Sequence, residues 1–398
     1  MATRVCSYSK INLGLAIGPV RPDGFHGLAT LYQTLALHDV VTVEAKPRSQ
    51  NRDLGHPGSG ESRITLTTNH PQVPTDARNT AWKMVELALA RANVTAEVAI
   101  HIEKNLPVQG GLGAGSANAA AALLGLEHEL RLTLSGTDRM ELAAEVGSDV
   151  PLFLFGGAVL GTGRGECVSA MPDLPATPCV IAVPEVGVST SQAFEDWDAL
   201  CATNSAATVV DPTSQKRDAH PNEQARRGPR DVRHPGLTSP AQPDRLEELS
   251  HVYASVLGVR PATEPTPDTS GIVRGSEESD TRNDLAGNTL LALVRTGIEN
   301  DFESVVFPQY PLLREIKRLL MGPTAGVYSD GMSEGRPGDS SGTAFYAALS
   351  GSGSALFGLY RSEADAKAAQ QRVQATGCKA LLTETLPRAE YWRRMFAE

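Results

Sequence analysis

The chain has 398 residues, of which 41% are hydrophobic and 5 are cysteines, and its formal net charge is −10. This length and apolar content indicate two domains, or one large α/β domain with insertions, built around a real core. The negative charge argues against a nucleic-acid partner. Scattered cysteines without a C-x-x-C pair argue against a disulfide framework or a zinc site and predict a cytoplasmic protein. The sequence shows neither a signal peptide nor a window of about 20 apolar residues, so we expect no membrane partner.

The first predicted strand covers residues 5–17, where apolar side chains alternate with Lys10 and Asn12. These two polar side chains therefore lie on one face of the strand. A lysine on a solvated strand face is ordinary, so the strand alone does not assign Lys10 a function. Residues 21–24, Arg-Pro-Asp-Gly, predict a turn directly after it.

The following residues predict a short helical stretch that leads into a second strand at residues 40–44. Residues 46–62 form a polar loop rich in Gly, Pro and Ser, and residues 64–68 predict another strand. An apolar stripe at helical spacing then predicts a helix over residues 79–93.

Four glycines lie within residues 110–115, between a predicted strand at 96–104 and a predicted helix at 116–132. Glycines bring backbone N–H groups close to an anion, and the helix adds its positive dipole end, so this order predicts phosphate binding. The alternative is a glycine-rich turn before a packed alanine helix. The loop contains no Walker lysine motif and lacks the acidic residue that a Rossmann dinucleotide site requires about 20 positions further on.

Asp149 follows a predicted helix at residues 137–146 and precedes a proline, which is typical of a helix N-cap. Residues 156–165 predict a glycine-rich strand and hairpin. A strand at residues 179–184 and a helix at residues 192–200 follow.

Residues 204–243 are rich in proline, contain a basic cluster and hold no aromatic residue, so we expect disorder there. A charged tail that docks on a partner is the alternative. Strands and helices mix without strict βαβ alternation, which favours an α+β fold over a doubly wound sheet. The remaining predictions are helices at 245–257, 284–297, 311–320 and 363–376, strands at 356–360 and 378–384, and flexible segments at 258–283 and 322–342.

Several separated pieces resemble motifs of the GHMP small-molecule kinases. PVQGGLGAGSANAAA is similar to their P-x-x-x-G-L-G-x-[GS]-S-[SA]-x-A motif, SYSKINLGL to their first motif, and LSGSGSALFGLY to their third. K-x-N-L, RPDGFH, GSDVP and NDFESVVF resemble more narrowly the branch that phosphorylates a cytidine-diphosphate alditol in the non-mevalonate isoprenoid pathway. The match covers residues 4–200 and 284–385.

The resemblance implies a two-domain GHMP-kinase fold of the α+β class. Residues 1–175 would form an ATP-binding domain like a ribosomal-protein domain, and residues 176–398 a ferredoxin-like domain with inserts at 204–283 and 322–342. It implies an ATP-dependent kinase that phosphorylates the 2-hydroxyl of 4-diphosphocytidyl-2-C-methyl-D-erythritol. The alternatives are another GHMP small-molecule kinase or a non-catalytic nucleotide-sensing relative.

The resemblance places a catalytic lysine at Lys10 and a catalytic aspartate at Asp149. A carboxylate can orient or deprotonate the attacking hydroxyl group. A neighbouring ammonium keeps that carboxylate ionised and offsets negative charge that builds up on the phosphoryl group. Both residues are present, which argues against the non-catalytic alternative.

The resemblance also implies that the glycine-rich loop cradles the phosphates of ATP, with Mg²⁺ carried by ATP and close to Ser116. Ala117 stands where the family usually has a second serine, so one hydroxyl remains there. The predicted ATP-binding residues are Asn79, Lys104, Pro107, Val108, Gln109, Gly110, Gly111, Leu112, Gly113, Ala114, Gly115, Ser116 and Ala117.

For the acceptor, the resemblance implies that Phe25 stacks on the cytosine, where the family usually has tyrosine. His26 would hydrogen-bond the edge of the base, Phe194 would supply the opposite stacking face, and Asn12 would also bind the substrate. The expected partner is therefore a small molecule, a cytidine-diphosphate alditol. The sequence gives no indication of the oligomeric state.

Overall fold

The computed structural model describes residues 2–47, 62–108, 110–208, 299–323 and 342–397. In these residues the strands form a six-stranded sheet and a four-stranded sheet, called below the first and second sheets. Some predictions lie outside the described residues, namely those for residues 48–61, Gln109, the basic insert from residue 209 onward, the helices at 245–257 and 284–297, and residues 324–341.

The first sheet is built around two long strands, β1 (Thr3–Val20) and β2 (His26–Pro47), which pair antiparallel along their length. The helical stretch predicted before residue 40 is wrong, because those residues belong to β2. β1 pairs with one edge of this segment, and another strand pairs with its opposite edge at Thr30 to Gln33. The backbone N–H and C=O groups are thus used in the sheet, and pairing outweighs local helix propensity.

Four further strands complete the first sheet in the order β3-β4-β2-β5-β6, with β1 paired to β2. β3 and β4 are parallel, and the other pairs are antiparallel. The alternation predicted for β4 is confirmed, since its residues are alternately buried and exposed. The bounds are β3 (Arg63–Thr68), β4 (Ala96–Glu103), β5 (Ala158–Thr162) and β6 (Cys167–Ala170).

Three helices pack with the first sheet to form its core. The predicted apolar stripe of α1 is confirmed, because Ala81, Val85, Ala88 and Leu89 are all buried. The alanine-rich α2 packs on β1 and β2, where its small side chains allow close approach. The helices are α1 (Thr80–Ala92), α2 (Ala114–Leu130) and α3 (Gly136–Val146).

The second sheet contains the strands β7 (Pro178–Val183), β8 (Tyr346–Leu349), β9 (Leu356–Leu359) and β10 (Lys379–Glu384). It is antiparallel, with strand order β10-β7-β9-β8. The helices in this part of the chain are α4 (Thr190–Thr208), α5 (Glu303–Gln309), α6 (Pro311–Met321) and α7 (Glu363–Gln374).

One apolar cluster joins the two sheets. It contains Ile11 and Leu13 of β1 together with Ile181 and Phe357 of the second sheet. The middle of β1 therefore lies at the junction, and Lys10 and Asn12 lie beside these apolar residues in the sequence.

The end of the chain returns to the first sheet, which the sequence did not predict. Helix α8 (Arg388–Arg393) buries Tyr391 in the core of that sheet, and Cys6 donates its N–H to Met395 O at 2.7 Å. The predicted α+β class is confirmed by this mixed arrangement. No helix in the described ranges is long and apolar enough to cross a bilayer.

Candidate active site

The glycine loop, residues 107–113, connects β4 to α2. Gly111 and Gly113 have φ of +75° and +70°, in the left-handed region that favours glycine. A Cβ at position 111 would collide with the carbonyl of Ser350, and a Cβ at position 113 would lie 3.0 Å from side-chain atoms of Lys10 and Phe153. Both glycines are therefore needed for this loop to approach Lys10 and the second sheet.

Helix α2 begins at Ala114, two residues before its predicted start, with Gly113 at the N-cap position. Among the described residues no side chain caps this end. The positive end of the helix dipole and the first-turn N–H groups therefore border a cavity of about 400 Å³. The predicted ATP-binding residues that the structure describes all line this cavity except Ala117, which is buried within the helix packing.

Asn79 and Lys104 line the cavity, but both use their polar groups within the protein. Asn79 Oδ1 accepts the N–H of Ala81 at 2.9 Å and so caps α1, and its Nδ2 donates to Pro74 O at 2.8 Å. Lys104 Nζ lies 2.5 Å from Asp39 Oδ2. These two residues therefore shape the wall of the cavity.

Asp39 is fully buried and is surrounded by hydrogen-bond donors. Besides Lys104, the N–H groups of Asn105 and Leu106 donate to it at 2.8 and 2.7 Å. With the amide of Asn118 oriented to satisfy its neighbours, its nitrogen donates to Asp39 at 3.2 Å. This carboxylate joins β2, the start of the glycine loop and α2.

Lys10 and Asp149 meet beside the glycine loop, with Lys10 Nζ 3.2 Å from Asp149 Oδ2. Lys10 is 3% exposed, so its interpretation as a solvated strand residue is wrong. Its Nζ also donates to Asn12 Oδ1 at 2.7 Å, which confirms that the two side chains share a face. Asn12 Nδ2 in turn donates to Thr30 Oγ1 at 2.8 Å.

Asp149 is not the helix cap that its position before a proline suggested. A short 3₁₀ helix (Pro151–Leu154) follows, but Val150 is at its N-cap position and no described side chain caps it. The Asp149 carboxylate instead accepts a hydrogen bond from Tyr32 Oη at 2.9 Å and remains 32% exposed. A partly exposed carboxylate in this position can accept a hydrogen bond, and then a proton, from a hydroxyl group.

A second glycine loop, residues 350–354, lies against the first. Ser350 Oγ donates to Gly111 O at 2.9 Å, and a Cβ at Gly351 would lie 3.7 Å from Lys10 Nζ. Asn300 supports this loop, because its Nδ2 donates to Leu349 O and Gly351 O at 2.9 and 2.8 Å. Two glycine loops from distant parts of the chain thus enclose Lys10.

Phe25 and His26, two of the predicted acceptor residues, lie at the turn between β1 and β2. The turn is confirmed, since the N–H of Gly24 donates to Arg21 O at 2.9 Å. Phe25 is 53% exposed, and the Arg164 guanidinium lies 4.9 Å from its ring centroid. Position 25 therefore presents an aromatic surface next to a positive charge.

His26 and Phe194 contact each other directly. Their ring centroids are 4.7 Å apart with an interplanar angle of 13°, and His26 Nε2 lies 2.8 Å from Asp198 Oδ1. The structure thus brings these two predicted residues together.

Comparisons with known proteins identify the family. The GHMP kinases N terminal domain matches residues 79–157, and the GHMP kinases C terminal domain matches residues 339–378. A 4-diphosphocytidyl-2-C-methyl-D-erythritol kinase from Synechococcus sp. is 31% identical over 337 residues, 84% of this chain and 83% of that protein. The chain belongs to the 4-diphosphocytidyl-2-C-methyl-D-erythritol kinase family. Kinases of this family take the transferred phosphoryl group from ATP.

Other relatives of this kinase family match over a shorter segment. The enzyme from Caldicellulosiruptor bescii is 40% identical over 192 residues, which are 48% of this chain and 63% of that protein. A solved 4-(cytidine 5'-diphospho)-2C-methyl-D-erythritol kinase aligns over 96% of this chain and 99% of its own, with a TM-score of 0.57 and 23% identity. A homoserine kinase from Cytophaga hutchinsonii aligns with a TM-score of 0.58 and 16% identity. These neighbours confirm the GHMP-kinase fold and do not distinguish the acceptor.

Sequence reasoning missed several residues of this candidate site. Asp39 and Tyr32 lie within a strand that was predicted in part as helix, which gave no reason to single them out. Asn300 is the first residue of the NDFE motif, and an asparagine directly before an aspartate was the signal that could have identified it. Arg164 lies between two glycines of positive φ, and this Gly-Arg-Gly pattern was the signal for a cation at the turn of a hairpin.

Proposed function

We propose that this chain transfers the γ-phosphoryl group of ATP to the 2-hydroxyl of 4-diphosphocytidyl-2-C-methyl-D-erythritol. The observation that carries the proposal is the Lys10–Asp149 pair, at 3.2 Å, beside a cavity bordered by the uncapped end of α2. Phosphoryl transfer depends on positioning and on charge stabilisation more than on covalent chemistry. The site supplies both in a small volume.

The donor half of the site binds phosphate through the backbone. The glycine loop and the first turn of α2 direct N–H groups and a positive dipole toward the cavity, which is the environment that phosphate oxygens prefer. No three His, Cys, Asp or Glu residues in the described ranges come together as a metal site. The phosphates of ATP would therefore supply most ligands of Mg²⁺, with the Ser116 hydroxyl as the protein oxygen near it.

Asp149 and Lys10 have different roles when the acceptor hydroxyl reacts. Asp149 orients the 2-hydroxyl and takes its proton as the oxygen attacks the γ-phosphorus. A new O–P bond forms while the bond between the γ-phosphorus and the bridging oxygen breaks, and ADP leaves. Lys10, 3.2 Å from Asp149, offsets the negative charge on the transferring phosphoryl group.

The acceptor's cytosine would stack on Phe25, where half of the ring is exposed. His26 would bind the edge of the base, and Phe194, whose ring is stacked on that of His26, would supply the opposite stacking face. Asn12, already bonded to Lys10, would contact the sugar alcohol near the reacting hydroxyl. From the scattered cysteines, none of which forms a disulfide among the described residues, we also propose a cytoplasmic location.

A coupled assay of ADP release tests the proposal. The chain is given ATP and magnesium with 4-diphosphocytidyl-2-C-methyl-D-erythritol, homoserine or mevalonate as separate acceptors. We expect turnover with the cytidine-diphosphate alditol alone, because only that acceptor has a base to stack on Phe25. Turnover with homoserine or mevalonate and none with the alditol would assign the chain to another GHMP kinase activity. No turnover with any acceptor, together with tight ATP binding, would favour a nucleotide-sensing relative.

A further inference from the structure

Tyr32 is a buried residue of β2 whose hydroxyl reaches into the catalytic pair. Its ring is 2% exposed, its Oη donates to Asp149 Oδ1 at 2.9 Å, and Lys10 Nζ lies 5.5 Å from its ring centroid. One carboxylate oxygen of Asp149 thus accepts the hydrogen bond from Tyr32, and the other lies beside the Lys10 ammonium. The proposed phosphoryl transfer gives Tyr32 no role so far.

The chain leaves space for Tyr32 by placing glycines around it. A Cβ at Gly161 of β5 would lie 2.5 Å from Tyr32 Cε2, and a Cβ at Gly165 would lie 2.5 Å from Tyr32 Oη. Gly165 has φ of +102°, so any other residue there would be strained as well as too close. Two positions in the hairpin between β5 and β6 are therefore adapted to this ring and this hydroxyl.

The hydroxyl is a fixed donor. Burial, together with the negative charges of Asp149 and Glu166, raises the pKa of Tyr32 well above its usual value. Tyr32 therefore keeps its proton, and its hydrogen bond always runs from the phenol to the carboxylate. Hydrogen bonds to a charged acceptor are the stronger ones and fix its orientation.

We propose that Tyr32 is a positioning residue for phosphoryl transfer, holding one oxygen of Asp149 while Lys10 holds the other. The inference rests on the proposed function, because it acts through the carboxylate that takes the acceptor's proton. With both oxygens held, the carboxylate cannot rotate about its Cβ–Cγ bond. The lone pairs that remain point in a constant direction, and the acceptor hydroxyl meets them in one geometry.

Tyr32→Phe tests this role because it removes the hydroxyl and keeps the ring. We expect kcat to fall roughly 10- to 100-fold, the size expected for one hydrogen bond to a charged group, with unchanged KM for ATP and for the acceptor. Tyr360→Phe is the matched control, since it removes a buried tyrosine hydroxyl that donates to Leu320 O at 2.9 Å near the second sheet. Its kcat should equal that of the unaltered chain.

A double-mutant cycle separates positioning from a general structural effect. In an Asp149→Asn background, Tyr32→Phe should lower kcat by less than twofold, because the group it orients no longer takes the proton. An equal loss of kcat in both backgrounds, or a normal kcat in Tyr32→Phe alone, would overturn the inference.

A crystal structure of Tyr32→Phe provides a readout that does not need activity. The Asp149 carboxylate should rotate away from the position it has in the unaltered chain or occupy more than one conformer. An unchanged, single carboxylate conformer would overturn the positioning role even if the kinase activity is established. Failure of the proposed function would instead be seen in the unaltered chain, as absent turnover with the cytidine-diphosphate alditol.

Discussion

Two lysine–aspartate pairs lie on either side of the glycine loop, and they differ in what surrounds the carboxylate. Lys10 and Asp149 are 3.2 Å apart, and Asp149 is 32% exposed. Lys104 and Asp39 are 2.5 Å apart, and Asp39 is 0% exposed. The side chains of the two lysines are equally buried, each with 4% of the side chain exposed, so the difference between the pairs lies in the aspartates.

Asp39 is saturated with donors and Asp149 is not. Two backbone N–H groups and Lys104 occupy the oxygens of Asp39, so it has no access to a substrate and its charge serves the fold. Asp149 has Tyr32 and Lys10 as partners and an open side toward solvent. A lysine–aspartate pair can therefore serve two purposes, depending on how many hydrogen-bond donors the carboxylate already has. Asp39 fixes a loop, and Asp149 can accept a proton.

The largest effect is expected where the carboxylate is open. Asp149→Asn should lower kcat by roughly 10²- to 10⁴-fold, because the amide cannot take the acceptor's proton. The free energy of unfolding should fall by about 1–2 kcal/mol, less than for a fully buried pair, because Lys10 loses its counter-charge but keeps its hydrogen bond to Asn12. The coupled ADP assay and urea unfolding measure the two quantities.

Glu315→Gln is the control for loss of a carboxylate, because Glu315 forms an exposed pair with Arg318 and neither residue lines the cavity. Its kcat should stay within about twofold of the unaltered chain, as is usual for exposed charge pairs. A kcat for Asp149→Asn as high as that of Glu315→Gln would remove Asp149 from the chemistry.

The reverse pattern is expected for the buried pair. Asp39→Asn leaves the Lys104 ammonium buried without its counter-charge, so the free energy of unfolding should fall by about 3–5 kcal/mol. Loosening of the glycine loop should raise KM for ATP while KM for the acceptor stays the same. Urea unfolding and steady-state kinetics with each substrate varied in turn test both expectations.

Adding Lys104→Met to Asp39→Asn sharpens this test, because replacing both members of a buried pair costs less than removing one. The double variant should regain part of the lost free energy of unfolding. A single Asp39→Asn variant as stable as the unaltered chain would show that this pair does not hold the loop.

The sequence predicted Lys10, Asp149 and Lys104 as site residues but did not predict Asp39. The difference has a physical reason. Lys10, Asp149 and the glycines of the loop belong to short motifs that resemble those of the GHMP kinases. That resemblance assigned the Lys10–Asp149 pair, since the local pattern alone indicated a solvated lysine and a helix cap. Asp39 acts through residues about 65 positions away in the chain, and its donors exist only once β2 lies beside β4. Tyr32 reaches Asp149 across 117 positions in the same way.

The error in β2 has the same origin. The segment before residue 40 has helical propensity, and its conformation is decided by two neighbouring strands that local patterning does not reveal. Both Asp39 and Tyr32 lie on this strand, so the wrong helix prediction and the two missed site residues have a single cause. Non-local pairing was the information that the sequence pattern lacked.

A smaller effect is expected on the acceptor side. Phe25→Leu should raise KM for the cytidine-diphosphate alditol by about 2- to 12-fold, which corresponds to ~0.5–1.5 kcal/mol for an aromatic stacking contact. KM for ATP and the unfolding midpoint should not change, because the ring is 53% exposed. Leu312→Ala, which truncates an apolar side chain with the same exposure of 53% in α6, is the control and should change neither KM. A KM for the alditol unaffected by Phe25→Leu would place the base elsewhere.

The smallest effect is expected at Ala117, where the family usually has a serine. Ala117 is buried and its N–H already donates to Gly113 O at 2.9 Å, so the hydroxyl of Ala117→Ser would bond to that same carbonyl and stay away from the cavity. We expect kcat and KM for ATP within about twofold of the unaltered chain, which is the range of near-neutral substitutions. Ser116→Ala, at a position that lines the cavity, should raise KM for ATP more than Ala117→Ser changes it. The opposite order would mean that a hydroxyl at position 117 reaches the cavity and that the Ser116 hydroxyl does not contact ATP.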